Sequence, residues 1–265
     1  MRATLALYLA HGATTWGVQR RYPVTMCIWV FGVALEPVIY LAVWRTAAGG
    51  HQVGGFTRDD FAAYYVLVML VNHLSYTWFF MVMDRRTREG TFSALLLRPA
   101  HPIHGDVAEN LTFKAITSVA VVPTAGLLWV SMGVRLQPAP LDLLLAVVGM
   151  LTGAVLRVCL EWTLALGALW TTRVESFGRV YAFVSHFLGG FVAPLAALPS
   201  ALHALATWTP FPWMVAFPIE VAMGRHSVAE AIEGILVQGL WLLGSLGLLR
   251  AAWRRALRRH TAVGG

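Results

Sequence analysis

Lysine is almost absent from this chain. Its 265 residues include 20 lysines and arginines, and only Lys114 among them is a lysine. Charge of either sign is also scarce. Charged residues make up 12% of the chain and hydrophobic residues 58%, against about 25% charged in an ordinary soluble domain. That imbalance excludes a soluble globular enzyme and a disordered chain. The two cysteines, Cys27 and Cys159, sit far apart in apolar runs, which excludes a disulfide scaffold and a zinc spacing and leaves two buried thiols acting as small hydrophobes. No G-x-x-x-x-G-K-[ST] motif is present, so the chain has no P-loop with which to cradle ATP phosphates. H-E-x-x-H and G-x-S-x-G are missing as well. The nine histidines are scattered. His101 and His104 are close only within a proline-flanked loop, and no metal set is expected.

What remains is long apolar runs, the mark of a polytopic membrane protein. Six runs have the length needed to cross a hydrocarbon core of about 30 Å. They are 24–44, 61–83, 115–134, 141–170, 180–198 and 232–249. The stretch 201–223 is also apolar, but Pro210, Pro212 and Pro218 interrupt it, and interior prolines break helices. The expected fold is all-α, with six transmembrane helices in a single transmembrane domain over 1–265. Three further segments are expected: an interfacial helix over 1–22, a cytoplasmic loop over 84–112, and an outer re-entrant hairpin over 199–227. Leu5, Leu9, Gly12 and Trp16 fall at helical spacing and favour an amphipathic helix on the inner leaflet over a cleaved signal.

The arginines orient the spans. Arg2, Arg20 and Arg21 near one end and Arg250, Arg254, Arg255, Arg258 and Arg259 near the other both belong in the cytoplasm. Six spans satisfy both clusters. The loop carrying Arg85, Arg86, Arg88, Arg98 and Lys114 then faces the cytoplasm, as do Arg173 and Arg179. Only Arg45, Arg58, Arg135 and Arg225 lie outside. The high arginine count beside so much alanine, leucine and glycine points to a bacterial source, with the net charge of +7 reflecting topology and not nucleic-acid binding. The Asn110-Leu111-Thr112 sequon falls on the cytoplasmic side and is discounted.

The longest polar stretch is DRRTREGTFSALLLRPAHPIHGDVAENLTFK, from Asp84 to Lys114. Thr91 is placed to cap a short helix. Phe92, Leu95, Leu96 and Leu97 give that helix an apolar patch, and Pro99 stops it. Such a helix suits docking into a groove on a soluble partner, or resting on lipid headgroups. The segment REGTFSALLLRP resembles the cytoplasmic signature of type-2 ATP-binding-cassette (ABC) permeases. The six spans, the N-terminal interfacial helix and the hairpin carrying Pro199, Pro210-Phe211, Pro218 and Gly224 are similar to the same family, and the ending RRALRRHTAVGG resembles one poorly characterised bacterial subgroup of it. Many members carry Glu two places after the threonine, where this chain has Ser93.

The resemblance implies one transport half of an exporter. A second permease, the same or different, would pair with it, and separate cytoplasmic ABC ATPase subunits would bind below. The chain itself would bind no cofactor, with ATP and Mg on the ATPase. Gly90, Thr91, Leu95, Leu96 and Pro99 match the coupling motif, which also holds Phe92, and Arg88, Glu89 and Arg98 form its charged rim.

Ionisable groups inside spans are costly, about 2.5–3.5 kcal/mol at a helix centre, and therefore carry functional hypotheses. Arg157 and Glu161 are four apart and share a helix face. Glu36 lies about 18 Å into the first span and is followed by Pro37. With His73 and His186, these groups are candidates for the lining of a pathway or gate, the alternatives being salt bridges and satisfied interhelical hydrogen bonds. Trp208, Phe211, Trp213 and Phe217 of the hairpin are expected at a membrane–water interface. Two rival functions remain at this level: a membrane enzyme acting on lipid or isoprenoid substrates through His73, His186 or Glu36, and a scaffold with no transport path.

Overall fold

The computed structural model describes residues 2–171 and 174–259; Arg173 and the last residues of the tail, used above for orientation and resemblance, lie outside them. Among the described residues there is no β-strand, only a single bridge between Val53 and Phe56. Twelve α-helices carry the fold: α1 (Arg2–Gln19), α2 (Pro23–Ala48), α3 (Arg58–Ser75), α4 (Phe79–Arg88), α5 (Phe92–Leu96), α6 (Pro102–Ser131), α7 (Pro140–Ala165), α8 (Val174–Leu188), α9 (Ser200–Thr207), α10 (Phe211–Met214), α11 (Ala216–Ala222) and α12 (Val228–Arg259).

Five of the described segments are long and apolar enough to cross a membrane: α2, α3 with α4, α6, α7 with the 3-10 turn that continues it, and α12. They correspond to the first, second, third, fourth and last of the expected spans. The second is central and mostly buried, while α2 is peripheral and mostly exposed. Proline at the first helical turn starts α2, α6 and α7, where its missing N–H costs nothing. Thr57 with Asp60, and Ser227 with Glu230, cap α3 and α12 reciprocally.

The expected span over 180–198 is helical only as far as Leu188, and α8 covers 15 residues. Gly189 and Gly190 end it, Gly190 with φ +91, a conformation that suits glycine. The chain then continues with only a short 3-10 turn over Leu195–Ala197, and three aromatic side chains donate to two of its carbonyls. Tyr64 donates to Gly190 O at 2.7 Å, and Tyr65 and Trp44 each donate to Val192 O at 2.7 Å. Irregular backbone at membrane depth is tolerated when protein satisfies it in this way.

The region 199–227 folds as the three short helices α9, α10 and α11, separated where Pro210 and Val215 interrupt them. Pro218 falls in the first turn of α11, where proline is tolerated. The four hairpin aromatics do not share one environment. Trp208 is 84% exposed, whereas Phe217 is buried against Ala146, Val221 and Ala231. Gln238 of α12 fastens this region to α7, its amide donating to Gly149 O at 2.9 Å and to Trp213 O at 2.6 Å. Helix α1 is present as expected and packs along the start of α6, where Tyr8 meets His104 (3.3 Å). Its Leu5, Leu9 and Trp16 remain exposed.

Candidate functional site

The second span is not continuous. Helix α3 ends at Ser75 and α4 begins at Phe79, although LSYTWFF holds no proline or glycine to announce a break. Side chains of α6 and α7 engage the break. The side-chain amide of Asn110, on α6, donates to Tyr76 O at 3.3 Å. The Thr77 hydroxyl donates to Glu161.

Arg157 and Glu161 meet as the spacing predicts, Nε to Oε1 at 2.6 Å, and both are buried. Their surroundings complete the pair. Arg157 also donates to Ser75 Oγ at 3.2 Å and reaches Asn72 Oδ1 at 3.5 Å. Its guanidinium lies 5.7 Å from the ring centres of both Tyr76 and Phe191, within cation–π range. A buried pair whose remaining donors and acceptors are satisfied is the arrangement that offsets desolvation.

Glu36 and His186, expected separately, are brought together at 3.5 Å. The His186 Nδ1 lies 2.7 Å from Ala182 O, so that nitrogen carries its hydrogen and the other faces the carboxyl. His73 stands apart from them. Its Nε2 donates to Lys114 O at 3.3 Å and meets Ser118 Oγ at 3.0 Å, a satisfied interhelical contact between α3 and α6.

Two cavities flank the break. The larger, about 340 Å³, lies among α2, α3 and α6 and is lined by Glu36, His73, Tyr76, Trp78 and Lys114 among others. The smaller, about 180 Å³, holds Arg157, Glu161, Tyr181 and His186. Tyr76 and Trp78 line both. Sequence reasoning placed Lys114 in a solvated loop; helix α6 instead begins at Pro102, so Lys114 lies within it and is 7% exposed. Its being the one lysine, at the edge of an apolar run, was the signal available. Asn72, Asp106, Asn110 and Gln238 were also missed. Single polar residues in apolar helices were the clue. Among the described residues no group of three or more His, Cys, Asp or Glu is placed to hold a metal ion.

The loop residues form a second constellation. Gly90 has φ +68, a left-handed turn after α4 that favours glycine. Thr91 precedes α5, but its side chain makes no capping bond; its hydroxyl reaches back to Arg86 O at 3.4 Å. The expected apolar patch divides in two. Phe92 is buried and meets Trp253, Leu95 and Leu96 pack beside it, and Leu97 is 89% exposed. Arg88 pairs with Asp84 at 2.7 Å, while Glu89, Arg98 and Pro99 remain on the surface.

The base of this loop is fixed to α7. Asp106 accepts from Arg86 at 2.6 Å and from Trp162 Nε1 at 2.9 Å. The His101 ring lies tilted against two indoles, its centre 4.2 Å from that of Trp253 and 5.2 Å from that of Trp162. Burial holds the His101 imidazole below its ordinary range, with His104 adding to the effect. Its neutral Nδ1 accepts from Ile103 N and caps α6.

Long apolar helices enclosing a buried charge pair and polar-lined cavities define a polytopic helical membrane protein. A family model described as ABC-2 family transporter protein matches residues 33–264. The chain therefore belongs to the ABC-2 transporter family, and it is a multi-pass membrane permease. Membership implies association with an ABC ATPase in general. No curated protein matches the chain.

Proposed function

We propose that this chain is the membrane-spanning subunit of an ATP-driven exporter in a bacterial inner membrane, with both termini cytoplasmic. A second permease, the same or different, pairs with it. Separate ATPase subunits carry ATP and Mg and dock on the loop around α5, and the chain itself hydrolyses nothing.

The division of α5 into two faces supports this reading most. Ala94, Leu97 and Arg98 are exposed and available to a partner, whereas Phe92, Leu95 and Leu96 are anchored in the cluster that holds Trp162 and Trp253. A push on the exposed face is transmitted to α7 through that cluster and through Asp106. On α7, Trp162 is adjacent to Glu161, which pairs with Arg157 and binds Thr77 at the break between α3 and α4. The loop helix thus joins the polar core by contiguous packed groups. Glu36 and His186, on α2 and α8, are the gate candidates beside that core.

Co-expression with a candidate ABC ATPase subunit tests the assignment. The wild-type permease retains the ATPase through purification. Leu97→Asp lowers retention at least tenfold with the thermal midpoint unchanged. Glu36→Ala retains the ATPase and reduces ATP-dependent transport. Turnover of a lipid by the isolated permease without nucleotide, or full retention by Leu97→Asp, contradicts the reading.

A further inference from the structure

The larger cavity is lined by a buried amine without a partner. Lys114 is 7% exposed, and among the described residues its ammonium has no hydrogen bond and no carboxylate within 4.0 Å; the His73 ring engages only its backbone carbonyl. The acidic groups nearby are already engaged. Glu161 is held by Arg157 and Thr77, and Glu36 faces His186. A buried ammonium with no counter-charge is costly, so an anion entering the cavity gains an interaction that the empty protein does not make.

The walls define the rest of the ligand. Trp29, Trp78 and Phe113 meet edge to face, with ring centres 5.0–6.3 Å apart. They form an apolar box around a space of about 340 Å³, within the usual range for small-ligand pockets of about 300–1,000 Å³. The rim reaches the outer surface of the helix bundle. Ile28 lines the cavity and is 66% exposed on α2, the least buried of the long helices. Free phosphate would leave these rings uncovered, and a neutral alkyl chain would leave Lys114 unpaired.

We propose that the cavity among α2, α3 and α6 binds an amphiphile with an anionic phosphate or carboxylate headgroup. Lys114 holds the head, and Trp29, Trp78 and Phe113 cover the adjoining apolar chain. This goes beyond the transport reading and does not rest on it, because binding is measured on the permease alone.

The probe is dodecyl phosphate, titrated calorimetrically into the purified full-length permease in maltoside detergent. It binds with one-to-one stoichiometry, Lys114→Met weakens it at least tenfold, and Lys114→Arg stays within threefold of wild type. Inorganic phosphate at the same concentration does not displace it. A second readout needs no variant. Lys114 is the only lysine, so its acetylation by an amine-directed reagent is followed by peptide mass spectrometry, and dodecyl phosphate slows it at least fivefold. Equal binding to wild type and Lys114→Met, unchanged acetylation, tighter binding of dodecyltrimethylammonium, or equal affinity for inorganic phosphate overturns the proposal. Failure there leaves ATPase docking at α5 untouched.

Discussion

Arg157 shows how one residue can be both readable and incomplete in sequence. Its spacing to Glu161 announces a pair, and the pair forms at 2.6 Å. Ser75, Asn72 and Thr77 come from another span, and no local pattern links them to α7. The network makes a non-additive prediction. Arg157→Leu leaves Glu161 buried without its cation, a loss of about 3–5 kcal/mol. Arg157→Leu combined with Glu161→Leu removes both charges and costs less. Thermal unfolding in detergent checks this, with the double variant melting above the single one.

His226, outside the long spans, gives a pH test. Its hydrogen bond to Glu220 raises it above the ordinary histidine range against the opposing effect of burial, and the charges of Glu220 and Glu230 reinforce the rise. A group raised in the folded state contributes stability that is fully present below its unfolded value of about 6.5 and is lost as pH rises through the folded value. The melting midpoint of the wild type therefore declines above about pH 6.5, and His226→Gln flattens that part of the profile.

Among the elements, the starts of α2 and α7 were legible to within a residue, whereas α6 begins at Pro102, well before the expected start at 115. Pro23, Pro102 and Pro140 open three of the long helices, and Gly189-Gly190 closes α8. The break between α3 and α4 was not legible, since nothing in LSYTWFF forbids a helix; Asn110 and Glu161, remote in sequence, sustain it. The α-helix expected over the whole of 180–198 stops at Leu188 for a related reason. Hydropathy measures apolar content, not whether tyrosines and a tryptophan elsewhere will take up the carbonyls of a non-helical strand.

Helix contacts give a further test. A Cβ at Gly153 would lie 2.9 Å from Met214 O, whereas one at Gly239 meets nothing within 4 Å. Gly153→Val therefore destabilises by about 1–3 kcal/mol through overpacking. Gly239→Ala is stabilising by up to about 1 kcal/mol through helix propensity. Unfolding midpoints of the two variants should move in opposite directions.

For the molecule as a whole, composition and hydropathy made the membrane class and five of the long segments legible, and the family match agrees. The candidate site was legible as isolated charges, not as the cavities they line, because those cavities depend on how α2, α3, α6, α7 and α8 pack. The division of labour proposed here puts the motor outside this chain, gripping α5 from the cytoplasm. Leu97→Cys in a Cys27→Ser background tests it most directly, in membranes that also contain the ATPase. The account predicts that a membrane-impermeant maleimide labels this position only after the cytoplasmic side is opened, and that a short crosslinker then joins it to the ATPase. Labelling from the outside of intact cells, or no crosslink in a complex that still transports, would contradict the account.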